Sequence, residues 1–387
     1  MDLRRIQSAG RPPVDLLLLA ATLLLVGLGL VMVFSSSAFL AQDQFKDSLH
    51  YFKRQSQFAA LGLFAMALIS RFNYRNYVKL VYPILFLTAI LLALVLVPGV
   101  GVKMGGAVRW LPLWHFHLQP SEIAKVAIVV YISYSLTKRR EKTKGFVSSV
   151  LNHLLIPFAM ACLILLEPDF GTTVLLLGIS LLMLFVAGSP WKYLIGLGLA
   201  LLPALAAMFL VFPHAAKRIL AWMQQILAMW SGEENYELFC YQVRESLYSF
   251  GSGRISGLGL GDGTMKLFFL PQSHNDFILA TLGQELGFVG TCTLFLLFAL
   301  FAWRGFTVAL KVPDTFGSYL AFGLTSVLVA QFLMNVGVVL GVLPPKGIAL
   351  PFLSYGGSAL IMTLVMAGIL LNISRYAVGR SNQRKED

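Results

Sequence analysis

Four short stretches hold the side chains that can do chemistry here. "LPQSHNDF" (270–277) sets His274 and Asp276 directly before an apolar run, and "GGAVRWLPLWHFHLQPSEIAK" (105–125) carries Arg109, Glu122 and Lys125. "EPDFGTT" (167–173) contributes Glu167 and Asp169, and "LPPKGIALPFLSYGGS" (343–358) ends in Ser354, Gly356, Gly357 and Ser358. Cations of this kind hold an anionic group and stabilise charge developing on it. A carboxylate at an apolar edge has its pKa raised by desolvation, which suits it to accept a proton. Each residue also has a plainer role. Lys125 stands i,i+3 from Glu122 and can simply pair with it, Asp169 and Asp276 can be helix caps, and the "SYGGS" amides can be ordinary capping groups or an anion site at a helix start.

These residues need elements to position them, and the rest of the chain says which. Of 387 residues, 57% are hydrophobic and 12% charged, against roughly 25% charged in a soluble domain. The apolar residues come in blocks of about 17–25, the length an α-helix needs to cross a bilayer. The fold class expected is an all-α integral membrane protein of about ten transmembrane helices. The spans are 14–36, 55–71, 79–99, 121–137, 150–166, 170–188, 191–211, 276–303, 317–343 and 355–374. The first is too long for a signal-peptide core. The whole chain, 1–387, reads as a single polytopic domain, with tails at 1–13 and 375–387. With both tails on the cytoplasmic side, eighteen Lys and Arg residues lie inside and eleven outside, five of the eleven in one long loop. That bias sets the orientation. The net charge of +12 reflects this bias and attraction to anionic lipid, and gives no argument for nucleic acid. Cys162, Cys240 and Cys292 form no disulfide or metal pattern.

The long loop, 212–275, is expected on the extracytoplasmic side. Ile219, Trp222, Met223, Ile226, Leu227 and Trp230 recur at helical spacing, as do Phe239, Val243, Leu247 and Phe250, so both sets read as amphipathic helices in the interface. "GSGRISGLGLGDG" (251–263) lacks the preceding strand of a nucleotide-binding loop and is expected to be a flexible hinge. The four polar clusters then meet at the outer ends of the spans. Together they suit a substrate with a lipid tail, a diphosphate and a polar head group.

"GGAVRW…LQPSEIAK", "EPDFGTT", "LPQSHNDFILATLGQELGFVG" and "NVGVVLGVLPPKGIALPFLSYGGSALI" strongly resemble the SEDS family (shape, elongation, division and sporulation), in order and over nearly the whole chain. The resemblance implies a peptidoglycan glycosyltransferase that polymerises lipid II at the outer face of the bacterial inner membrane, multi-pass, with both termini cytoplasmic. It places the essential aspartate on Asp276 and further motif positions on Arg109, Lys125, Glu122 and the "SYGGS" residues. The chain departs from the family pattern at Asn275, Gln284, Ala359, Glu167 and Gly106. The division branch is the nearer likeness and the elongation branch the second. No cofactor is implied, although a divalent cation (magnesium or manganese) held by Asp276 is an alternative role for that carboxylate. The implied partner is a class B penicillin-binding protein, a transpeptidase, with other divisome or elongasome proteins. Gly283, Gly287 and Gly290 in the eighth span, with Gly323 and Ala330 in the ninth, would let its helix approach closely. Glu285 is expected to meet Gln331 or Asn335 inside the bundle. The rival classes are a flippase for lipid-linked sugars and a non-catalytic division scaffold.

Overall fold

The apolar blocks fold as helices whose ends are tied down by buried side chains. The computed structural model describes residues 13–104, 107–113, 116–138, 150–200, 219–224, 241–263, 275–344 and 346–377. The helices are α1 (Leu16–Phe45), α2 (His50–Ile69), α3 (Tyr77–Leu96), α4 (Pro120–Lys138), α5 (Asn152–Leu166) and α6 (Phe170–Val186). The seventh, α7, is described over residues 191–200. Then come α8 (Tyr241–Gly253), α9 (Ile278–Lys311), α10 (Thr315–Val339) and α11 (Gly357–Ala377). Among the described residues, five helical stretches are long and apolar enough to cross a membrane: α1, Tyr74–Leu96, α9, α10 and α11.

The core sits around α4, whose residues Ala124–Ile132 are all buried, and around α10 and α11. The helix α4 also carries Ser121, Glu122 and Lys125, all buried. One end of the bundle is cross-braced. Asp15 caps α1 by accepting from the Leu18 amide and pairs with Arg304 of α9. Asp314 caps α10 and accepts from the Tyr74 hydroxyl, while Asn372 of α11 accepts from the Tyr74 amide and donates to the Ser70 carbonyl. Such caps and ties satisfy backbone groups that a helix end leaves open.

At the other end lies an element that the helical reading lacked. Three short strands, β1 (Val102–Met104), β2 (Ala107–Leu113) and β3 (Phe116–Leu118), pair antiparallel in that order. Val102 stands opposite Trp110 and Leu111 opposite Leu118. The signal was in "VKMGGAVRW", where two glycines separate alternating apolar residues, a hairpin pattern. This sheet carries Arg109.

The glycine-rich segment after α8 is not a free hinge. The helix α9 breaks at Gly287, whose φ of 65° and ψ of −160° no helical residue adopts. A break leaves amides and carbonyls unpaired inside an apolar bundle, where each is costly. Residues 254–259 fill the gap as a clasp. The amides of Leu258 and Gly259 donate to the carbonyls of Gln284 and Glu285 at 3.0 Å each. In return, the amides of Phe288 and Val289 donate to the carbonyls of Arg254 (2.9 Å) and Ile255 (3.1 Å). The glycines of the eighth span are therefore spent within the chain: Gly283 faces the Phe250 ring, and Gly287 and Gly257 face each other's backbone. Gly323 likewise packs on Val129 and Met183. At Gly283 and Gly287 a partner helix finds no open groove, because Phe250 and the clasp already occupy it.

Gly257 has a φ of +79°, and a Cβ there would lie 2.7 Å from the Gly287 nitrogen. Gly257→Ala should therefore expel the clasp and destabilise the fold by about 2–4 kcal/mol, from left-handed strain and the lost backbone hydrogen bonds. Gly251→Ala, at a site with nothing within 4 Å, serves as the control. Thermal unfolding in detergent reads the difference, and equal melting of the two variants would refute the clasp.

Candidate active site

The turn before α9 places Asp276. The cap residue of α9 is Phe277, with no side-chain hydrogen bond, so the Asp276 carboxylate is not used up in capping. Its backbone is fixed instead. Asn335 of α10 donates from Nδ2 to the Asp276 carbonyl at 2.8 Å and to the Ile348 carbonyl at 2.7 Å. The Ser354 hydroxyl donates to the Asn275 carbonyl and accepts from the Leu350 amide, both at 2.7 Å. These ties lock the turn against the prolyl-rich segment 343–356, which runs through the bundle end with Ile348, Leu350, Phe352 and Leu353 buried. Gly347 lies behind the carboxylate, where a Cβ would stand 3.0 Å from Oδ2. Burial is the main cause that lifts the Asp276 pKa to about 6; Arg109 opposes it and Asp169 adds to it.

The corner between α5 and α6 forms the facing wall. Asp169 caps α6, accepting from the Thr172 amide at 3.2 Å and the Thr172 hydroxyl at 2.9 Å. Arg109, on β2, donates from Nε to the Glu167 carbonyl at 3.1 Å and from Nη2 to the Pro168 carbonyl. Lys346 joins from the prolyl-rich segment; burial lowers its pKa and the charge of Asp169 counters that. Asp276, Arg109, Asp169, Glu167 and Lys346 thus form one electrostatic cluster.

Arg109 and Asp276 lie within electrostatic reach of one another. The structure places Lys125 and Glu122 otherwise than the sequence reading expected. Lys125 is 1% exposed and pairs with Glu122 at 2.6 Å, while its Nζ also donates to Gln331 Oε1 at 2.9 Å. Gln331 in turn donates to the Ala349 carbonyl at 2.9 Å. An ammonium group satisfied in this way does not need an anion, so Lys125, held by Glu122, braces the prolyl-rich segment through Gln331. Ser354 is a brace as well. The Gly356 amide donates to Gln55 Oε1 at 3.3 Å, Gly357 lies against the Phe58 ring, and Ser358 is buried with a hydroxyl that finds no partner among the described residues. His274 lies outside the described residues. Glu285, fully buried, accepts from the Ser35 hydroxyl of α1; the two amides expected to meet it are committed elsewhere.

Sequence reading gave too little weight to Gln331 and Asn335. Their signal was two amide side chains four apart on an apolar span, a spacing that puts both on one helix face. The carboxylates form a weak set for a metal. Among the described residues, no group of three His, Cys, Asp or Glu stands close enough to hold an ion.

A family model described as "Cell cycle protein" and built on FtsW, RodA and SpoVE matches residues 15–378. A Geobacter metallireducens protein called "Probable peptidoglycan glycosyltransferase FtsW" is 41% identical over 365 residues, covering 94% of this chain and 96% of the relative. Stage V sporulation protein E of Bacillus subtilis is 39% identical, with 94% and 97% covered. The crystal structure of the Thermus thermophilus rod shape determining protein RodA is 28% identical with a TM-score of 0.68, covering 94% and 97%. A chain from a peptidoglycan synthase complex, in a study of how polymerization and crosslinking are coordinated, is 29% identical with a TM-score of 0.73, covering 94% and 98%. With a model match over nearly its whole length and relatives at about 40% identity, the chain belongs to the FtsW/RodA/SpoVE family of cell cycle proteins.

Proposed function

We propose that this chain is a peptidoglycan glycosyltransferase that polymerises lipid II, and that Asp276 is its general base. The observation that carries the assignment of the base is a carboxyl at about pKa 6, uncapped, backed by a rigid scaffold and facing Arg109. Lipid II carries its sugar α-linked to a polyprenyl diphosphate, and the product is β-1,4-linked, so one displacement with inversion suffices. Asp276 takes the proton of the acceptor 4-hydroxyl as that oxygen forms its bond to the donor C1. The C1–O bond to the diphosphate breaks, and the diphosphate leaves with the electron pair toward Arg109 and Lys346. A divalent cation fits this donor set only in part: Asp276 would hold it together with the substrate's own phosphate oxygens, where it would neutralise leaving-group charge.

The reading places the reaction at the outer face of the bacterial inner membrane, with both termini cytoplasmic. A septal role is suggested by the name of the relative that is 41% identical, FtsW, although a sporulation protein is 39% identical. The partner would be a single-span class B penicillin-binding protein. Its helix would lie against the eighth and ninth spans along exposed residues such as Phe288, Leu296 and Leu333, not on the glycines. A flippase would draw support from the broken α9, but that break is bridged by backbone hydrogen bonds from the chain's own clasp. The test is purified protein given lipid II with and without its cognate transpeptidase. Glycan strands on a gel are the expected result, and their absence in both conditions would reject the enzyme reading.

A further inference from the structure

Glu167 is a buried carboxyl that the reaction above does not use. It ends α5, is 1% exposed, and neither carboxyl oxygen has a hydrogen-bond partner among the described residues. A carboxylate without donors in such a place is costly, and neutralising it is the cheaper state. The nearest cation behaves accordingly. Arg109 spends two N–H groups on the main-chain carbonyls of Glu167 and Pro168 and none on the Glu167 carboxyl. A guanidinium has five N–H donors in a fixed fork, so the rest stay available on the side away from the corner.

We propose that Glu167 is carried as the neutral carboxylic acid while the site works, and that its neutrality keeps Arg109 free to hold an anionic diphosphate. Glu167 is then a positioning residue for Arg109, and the diphosphate half of this statement rests on the function proposed above. Burial first, and the charge of Asp169 second, push its pKa up to about 8, with Arg109 pulling the other way. The charged groups facing it among the described residues are Asp169 on its own turn and Arg109 on β2. Asp276 and Lys346 face Asp169 in turn. With Glu167 neutral, Asp276 and Asp169 balance Arg109 and Lys346. Ionisation tips the cluster to a net negative charge and offers Arg109 a closer anion than the substrate. Diphosphate binding is therefore intact below about pH 8 and lost as pH rises through it. Loss of charge from Lys346 acts in the same direction, so a variant at Glu167 is needed to separate the two.

Two measurements test this. The first is an infrared titration of the full-length purified protein without substrate, comparing wild type with Glu167→Gln. The expected result is a protonated-carboxyl band in the wild type that fades as pH rises through about 8 and is missing in the variant. Lack of that difference overturns the proposal whether or not the protein polymerises lipid II. The second is the pH dependence of KM for lipid II. Wild-type KM should rise several-fold from about pH 7 to about pH 9 with kcat little changed, while in Glu167→Gln, also neutral, KM rises clearly less across that range. A variant KM that climbs as in the wild type overturns the role given to Arg109. As a check on folding, Glu167→Gln should melt no lower than wild type at alkaline pH. The raised pKa means that the folded state loses stability as pH climbs from the ordinary glutamate range toward about 8, and the amide escapes that loss.

Discussion

Lys125→Met should cost the fold about 3–5 kcal/mol, the usual penalty for removing one partner of a buried ion pair. The methionine fills the space, so a cavity contributes little. The loss comes from Glu122, left without its partner at 5% exposure, and from Gln331, which loses the ammonium at 2.9 Å. Gln331 also holds the prolyl-rich segment through the Ala349 carbonyl, so loosening it reaches the wall behind Asp276. The double variant Lys125→Met with Glu122→Leu should recover most of the loss, because no unpaired charge remains. Thermal melts of the wild type, the single variant and the double variant in one detergent read this directly. A single variant that melts like the wild type would mean that the pair holds nothing together.

Asp276→Asn should lower glycan polymerisation by about 10²–10⁴-fold, the range expected on removing a general base, and leave the fold intact. The structure gives a reason to expect both. The ties at this turn act on the main chain, from Asn335 to the Asp276 carbonyl and from Ser354 to the Asn275 carbonyl. The side chain caps nothing. An asparagine keeps the volume and the turn but cannot take a proton from an attacking hydroxyl. Unchanged melting with a collapsed rate is the expected pair of results. Wild-type polymerisation by Asp276→Asn would remove the carboxylate from the chemistry.

Much of this arrangement was legible in the sequence because bilayer-length apolar blocks leave few alternatives to helices. The start of α4 at Pro120 and the Asp169 cap of α6 followed from local cap chemistry. What escaped was everything set by contacts distant in sequence. Lys125 looked like an anion-binding candidate and Glu122 like a substrate-binding position, since nothing local reveals that Gln331, 206 residues away, completes the shell of the ammonium. The glycines of α9 looked like a docking stripe, since a helix break is invisible until the clasp from 254–259 is seen to fill it. The Asp276 cap was a local default that the bundle overrode, because Asn335 and Ser354 hold that turn from outside.

The central claim is that a carboxylate at Asp276 drives glycosyl transfer as a base. It is tested most directly by kcat/KM for lipid II, in complex with the transpeptidase, from about pH 5 to about pH 8, since that profile reports the free enzyme's ionisations. A base must be ionised to act, and burial holds the Asp276 pKa at about 6. The account therefore predicts a plateau from that value to about pH 7, before the rise in KM expected near pH 8, and a tenfold loss per pH unit below it. A rate flat across the whole range, in an enzyme that stays folded and bound to its partner throughout, would contradict it.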